Sequence, residues 1–113
     1  QQIDPGAPIA GTHASFSISG FKALDNFQVV VAENQGALFI PDGRNLGIAF
    51  DNYTRITKNL SAFGGVLDSD GNASTTSLVI PPALSGQSLY LLAVSINNGN
   101  VKDFSDVTRV EVQ

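Results

Sequence analysis

Residues 89–96 of the chain read LYLLAVSI, with one polar residue in eight. Side chains alternate along a strand, so Tyr90, Leu92, Val94 and Ile96 share one face and Leu89, Leu91 and Ala93 the other. A strand that is apolar on both faces has to be covered on both, which places it in the middle of a sheet. The run is fed by IPPALSGQS, residues 80–88, where Pro81-Pro82 stops the preceding element and Ser85-Gly86 makes a turn. Everything else in the chain must supply layers for this strand.

The remaining segments read as strands and turns. Residues 13–20 (HASFSISG) alternate, with Phe16 and Ile18 inward and serines outward. Residues 27–32 (FQVVVA) are rich in β-branched side chains, which suit strands. Short strands are expected at 37–40, 46–50 and 53–57, and the turns Pro41-Asp42-Gly43 and Asp51-Asn52 separate them. Residues 63–67 and 76–80 flank the turn 68–72 (DSDGN), which reads as a hairpin. After the central strand come the turn Asn97-Asn98-Gly99-Asn100 and an irregular stretch with Phe104 as a plug. The last strand, 107–112 (VTRVEV), turns Val110 and Val112 inward and Arg109 and Glu111 outward. No window shows a 3.6-residue period. About seven to nine short strands with regularly spaced turn signals imply an all-β, Greek-key β-sandwich of immunoglobulin-like architecture, with a small β-barrel as the alternative. One sandwich domain is expected over residues 12–113. Residues 1–11 (QQIDPGAPIAG) read as an extended N-terminal arm in which Ile3, Pro5, Ala7 and Ile9 recur at every second position.

From Asp68 onward the chain, DSDGNASTTSLVIPPALSGQSLYLLAVSINNG and then SDVTRVEV, resembles the closing half of secreted bacterial β-sandwich modules of the immunoglobulin or fibronectin type III kind. The shared features are an Asp-Gly hairpin, a strand ending in Ile-Pro, a Leu-x-Gly turn, an aromatic-bearing central strand and a valine-rich last strand. The resemblance implies an exported, surface-bound and non-catalytic module. The immunoglobulin Cys and Trp are missing, since the chain has neither residue.

Charge narrows the partners. Ten acidic and six basic residues give a net charge of −4. The basic residues are scattered singly, so neither nucleic acid nor an anionic membrane surface is expected as a partner. No stretch approaches the roughly 18 apolar residues of a membrane span, so no membrane insertion is expected. Without cysteine there is no disulfide or thiolate metal site. A chain that starts at Gln1 and contains no methionine is what removal of a signal peptide leaves, and an extracellular or cell-surface location is expected.

The candidate sites are few. Asp68, Asp70 and Asn72 offer oxygens to calcium, the one cofactor candidate, but Val79 stands where the longer loop of an EF-hand needs its glutamate. A turn of Asp, Gly and Asn also forms without metal. His13 is the only histidine, and geometry rather than presence makes a catalytic set. The eight aspartates sit beside turn residues, which explains them without paired-carboxylate chemistry. Asn52, Asn59 and Asn72 begin N-x-S/T sequons and are candidate glycosylation acceptors. The aromatic residues read as core.

Uncharged edge strands are an aggregation hazard that proteins normally protect. Residues 27–32 and 46–50 carry no charge, and something must cover them. The expected function is therefore a non-enzymatic, exported structural subunit of a cell-surface or extracellular filament or layer. It packs through edge strands and its arm against copies of itself or a partner surface protein. The alternative is a carbohydrate- or other ligand-binding module that uses loops 42–45 and 97–100. A small hydrolase ranks last.

Overall fold

The computed structural model describes all residues, Gln1–Gln113. Its ten strands are β1 (Gln2–Asp4), β2 (His13–Ala14), β3 (Ser17–Ser19), β4 (Asn26–Ala32), β5 (Gly64–Val66), β6 (Ala73–Ser74), β7 (Leu78–Val79), β8 (Ser88–Asn97), β9 (Asn100–Phe104) and β10 (Thr108–Glu111), with one α-helix, α1 (Asn52–Thr57). The sheets are antiparallel, open and stacked, an all-β sandwich rather than a closed barrel.

β8 is the central strand that its doubly apolar pattern demands. On one side it pairs along seven residues with β4, from Asn26 opposite Ile96 to Ala32 opposite Tyr90. Its other side is shared by β10, against residues 88–91, and β9, against residues 94–97. The gap between those two partners falls at Ala93. There the buried Ser105 supplies its hydroxyl to the Ala93 N–H at 3.0 Å, while its own N–H donates to the Ala93 carbonyl at 2.9 Å. At the adjoining register shift the fully buried Ser95 hydroxyl accepts from the Asp103 N–H at 3.1 Å. Each serine replaces a ladder partner that the irregular edge withholds.

The two faces of β8 and β4 carry separate cores. Leu89, Leu91 and Ala93 join Phe27, Val29 and Val31 beneath Ile3, Ile18, Phe21 and Leu67. Leu92 and Val94 join Val30 and Ala32 beneath Leu46 and Ile48. The first layer is the sheet β1-β3-β6 with the small β2-β7 pair. The second is an irregular hairpin over residues 34–49, joined by Leu46 N–H to Leu38 O (2.8 Å) and by single bridges at Gln35–Ile48 and Phe39–Asn45.

Several expectations are corrected. Residues 53–57 are helical, because Asp51 and Thr54 form a capping box that outweighs the β-branched composition. Residues 37–40 and 46–50 make only isolated bridges. Residues 100–104 pair as β9, through a two-residue turn in which Asn98 (φ 52°) and Gly99 (φ 76°) both take left-handed angles. The turn at 68–72 is not a hairpin within one sheet. It carries the chain from β5 in the large sheet to β6 in the small one. Gly71 (φ 77°) is required there, since a Cβ would collide with the Phe21 carbonyl. Phe39 and Phe50 are exposed rather than core.

Neither expected edge is bare. β4 lies between β8 and β5, and beyond β5 its Val31 N–H donates to the Thr57 hydroxyl of α1 at 2.9 Å. Leu46 and Ile48 are buried against the large sheet. The expected free arm is also built in. β1 pairs with β3, Ile3 is buried, and Ala10 and Pro8 exchange hydrogen bonds of 2.9 Å with Gln113.

Leu92→Ala should lower unfolding free energy by about 2–5 kcal/mol in chemical denaturation, as a buried leucine truncation does. Ser105→Ala should cost about 1–3 kcal/mol by leaving the Ala93 N–H buried and unpaired. Truncation of the exposed Leu24 should change stability by less than about 0.5 kcal/mol.

Candidate functional site

The layer over the Leu89–Leu91 face is assembled from short pieces. β2 and β7 contribute two residues each, and a 3-10 helix at Pro82–Leu84 continues the roof. Pro81 and Pro82 have no N–H to give to a ladder, so the segment stands away from the sheet instead of pairing with it. Its ends are fastened at Ile80, which exchanges hydrogen bonds with Gly11 and Thr12 (2.7 and 2.9 Å), and at Gly86, whose N–H donates to the Val112 carbonyl at 2.7 Å.

Between roof and sheet lies an open apolar cavity of about 500 Å³. Its floor is Val31, Leu89, Leu91, Val110 and Val112; its roof is Leu78, Val79, Ile80, Pro81, Ala83 and Leu84; and Tyr53, Thr57, Phe63, Phe16 and Pro8 complete the walls. Thirteen of the sixteen lining residues are hydrophobic and none is charged. This size and lining are those of a small-molecule pocket.

α1 sets one wall, and its placement is over-determined. The Asp51 carboxylate accepts from the Tyr53 and Thr54 N–H groups at 3.0 and 3.1 Å, and its second oxygen accepts from the Glu33 N–H at 2.8 Å. Burial pushes the Asp51 carboxyl up. The hydrogen bonds from Thr54, Glu33 and Tyr53 together outweigh it and hold the group below its ordinary value. At the other end Gln28 donates to the carbonyls of Thr57 and Leu60 at 2.7 and 3.0 Å. Thr57 spends its hydroxyl on the backbone, donating to Tyr53 O at 2.7 Å and accepting from Val31 N. Phe16 meets Phe63 edge to face, with ring centroids 5.6 Å apart.

A polar hollow of about 460 Å³ lies elsewhere, lined by residues 1–4, Ser17, Ser19, Ser105, Asp106 and Thr108. It gathers the carboxylates of Asp4 and Asp106 and no His, Lys or Arg side chain.

The other candidate residues are dispersed. Asp68 is occupied by its own turn, one carboxylate oxygen accepting from both the Asp70 and Asn72 N–H groups at 2.9 Å. No group of three or more His, Cys, Asp or Glu gathers at Asp68, Asp70 and Asn72 or anywhere else. Asp51 caps α1. Asp25 is buried against Asn97, with its second oxygen unpaired. Asn52, Asn59 and Asn72 are all exposed. His13 is exposed and sits opposite Val79 in the β2–β7 pair. Of the arm, Ile3 is core, Pro5 half-buried, and Ala7 and Ile9 exposed.

Loop 42–45 has largely consumed its polar groups, whereas in loop 97–100 the side chains of Asn98 and Asn100 are exposed. Arg44 donates to the carbonyls of Lys102 and Val101 at 2.6 and 2.9 Å, lies 5.3 Å from the Phe104 ring, and pairs with Asp42 at 2.8 Å. The Arg44 N–H, helped by its guanidinium, holds the Asp42 carboxyl below its ordinary value.

No protein-family model, curated protein or solved structure matches this chain. The cavity was not legible in the sequence, because its lining comes from eight separated segments. The only local cue was Pro81-Pro82 beside an apolar pair, Leu78-Val79.

Asp51→Ala should cost about 0.5–2 kcal/mol through loss of the cap. The folded carboxyl ionises more readily than the unfolded one, whose ordinary value is 3.8. Its stabilisation is therefore complete above that range and is lost as pH falls through the lowered folded value. Asp51→Asn, which still caps, should flatten that acid-side loss in denaturation curves collected from pH 6 to pH 2.

Proposed function

We propose that the chain is a non-enzymatic binding domain that holds a small apolar molecule between its layers. The cavity carries this reading. It is preformed, open to solvent, and lined by side chains that offer contact area, with the hydroxyls of Tyr53 and Thr57 as their only polar groups. An unfilled apolar hollow forfeits dispersion contacts on its lining, and an apolar guest restores them. The likeness of the C-terminal half to secreted sandwich modules supports a non-catalytic, exported domain.

A second reading, the structural subunit of a surface filament or layer, keeps one specific observation. The β5 edge (Gly64-Gly65-Val66) carries no charge and Val66 is 62% exposed, and Leu24, in the loop before β4, is 69% exposed. Its other supports weaken, because β4 is closed by α1 and the arm pairs within its own chain.

The hydrocarbon dye diphenylhexatriene should become fluorescent with the native protein and saturate at one dye per chain. Ala83→Trp, on the exposed part of the roof, and Val110→Phe, on the floor, should each cut that signal several-fold while circular dichroism stays native. Dye that binds the variants as well as the parent is not in this cavity. For the second reading, Val66→Lys should abolish any concentration-dependent mass increase in size-exclusion with light scattering; a parent that stays monomeric at millimolar concentration removes that reading.

A further inference from the structure

We infer that the guest is an electrically neutral molecule, hydrocarbon over most of its length, with a single hydrogen-bonding group placed at Tyr53. This rests on the cavity reading above and names the class of ligand.

Neutrality follows from what the lining lacks and where the nearby cations are committed. No Lys, Arg, His, Asp or Glu lines the cavity. A charge set against this lining, at the position of Tyr53, would give up hydration with nothing to pair it, a cost above what apolar contact returns. The two cations of the α1 region are turned to other tasks. The Lys58 ammonium lies 5.1 Å from the Phe50 ring, and Arg55 donates to the Asn52 side chain. Neither is a lining residue. His13, across from Val79, is exposed and does not line the cavity either.

The polar end is fixed by elimination among the lining groups. Only Tyr53 and Thr57 carry side-chain polar atoms there. Thr57 is buried and already both donates and accepts within the backbone. Tyr53 is half-buried and packs against the core, but the hydrogen bonds that fasten α1 run through Asp51, Thr57 and Gln28 and none of them uses the Tyr53 hydroxyl. It is therefore the one lining hydroxyl whose hydrogen bond is available to a guest, and as a phenol it serves as donor or acceptor. A chain with a terminal hydroxyl or ester fits this arrangement. A fatty-acid anion or a quaternary ammonium could not bring its charged head to Tyr53 without leaving it unpaired.

Displacement of diphenylhexatriene separates the possibilities, with decanol, decanoate at pH 8 and decyltrimethylammonium as competitors. Decanol is expected to displace the dye at least tenfold more effectively than either ion. Measured relative to the dye's own affinity for the same variant, Tyr53→Phe should weaken decanol by about two- to tenfold, the worth of one hydrogen bond. Equal displacement by all three competitors overturns neutrality while the cavity reading stands. Unchanged decanol binding in Tyr53→Phe overturns the placement of the polar group. If the dye never binds the parent protein, the cavity reading itself fails.

Discussion

Seven consecutive pairs between β4 and β8 hold this molecule together. The two strands are apolar on both faces, so their pairing creates a sheet that cannot stand in water on either side. One face calls for Ile3, Ile18, Phe21 and Leu67, the other for Leu46 and Ile48. Every peripheral piece, including the first residues of the chain, is recruited to satisfy that demand. The chain's own ends illustrate it: Ile3 enters the core while residues 8–10 close on Gln113.

The same demand explains the cavity. Charged residues are only 14% of the chain, so apolar surface is plentiful, but the pieces that cover the Leu89–Leu91 face are two and three residues long. Short strands carry few side chains, and prolines at 81 and 82 prevent the roof from docking by backbone pairing. Close packing is therefore incomplete where β7 and the 3-10 helix cross the sheet. Rigid walls surround the gap, with α1 pinned at both ends and Phe16 locked against Phe63. A rigid, uncharged hollow favours a guest that needs contact more than pairing.

Local chemistry spoke clearly at several places. The parity of Leu89, Leu91 and Ala93 against Tyr90, Leu92, Val94 and Ile96 is the parity of the two cores. The inward Val110 and Val112, the Asn98-Gly99 turn and the Pro41-Asp42-Gly43 turn also follow from period and dihedral preference. It misled where two signals competed. Tyr53 to Thr57 has β-branched composition, yet Asp51 and Thr54 cap a helix. Residues 27–32 look like an unprotected edge, because sequence does not say which neighbour supplies the second ladder.

The sequence by itself determined a central strand, two apolar faces to be covered and the turns that reverse the chain. These depend on side-chain period and on backbone angles, which are properties of neighbouring residues. Only the tertiary structure decided that α1 closes β4, that the N-terminal segment belongs to the core, and that a hollow remains between the layers. Those outcomes depend on how well distant segments fit one another, and a gap belongs to no segment at all.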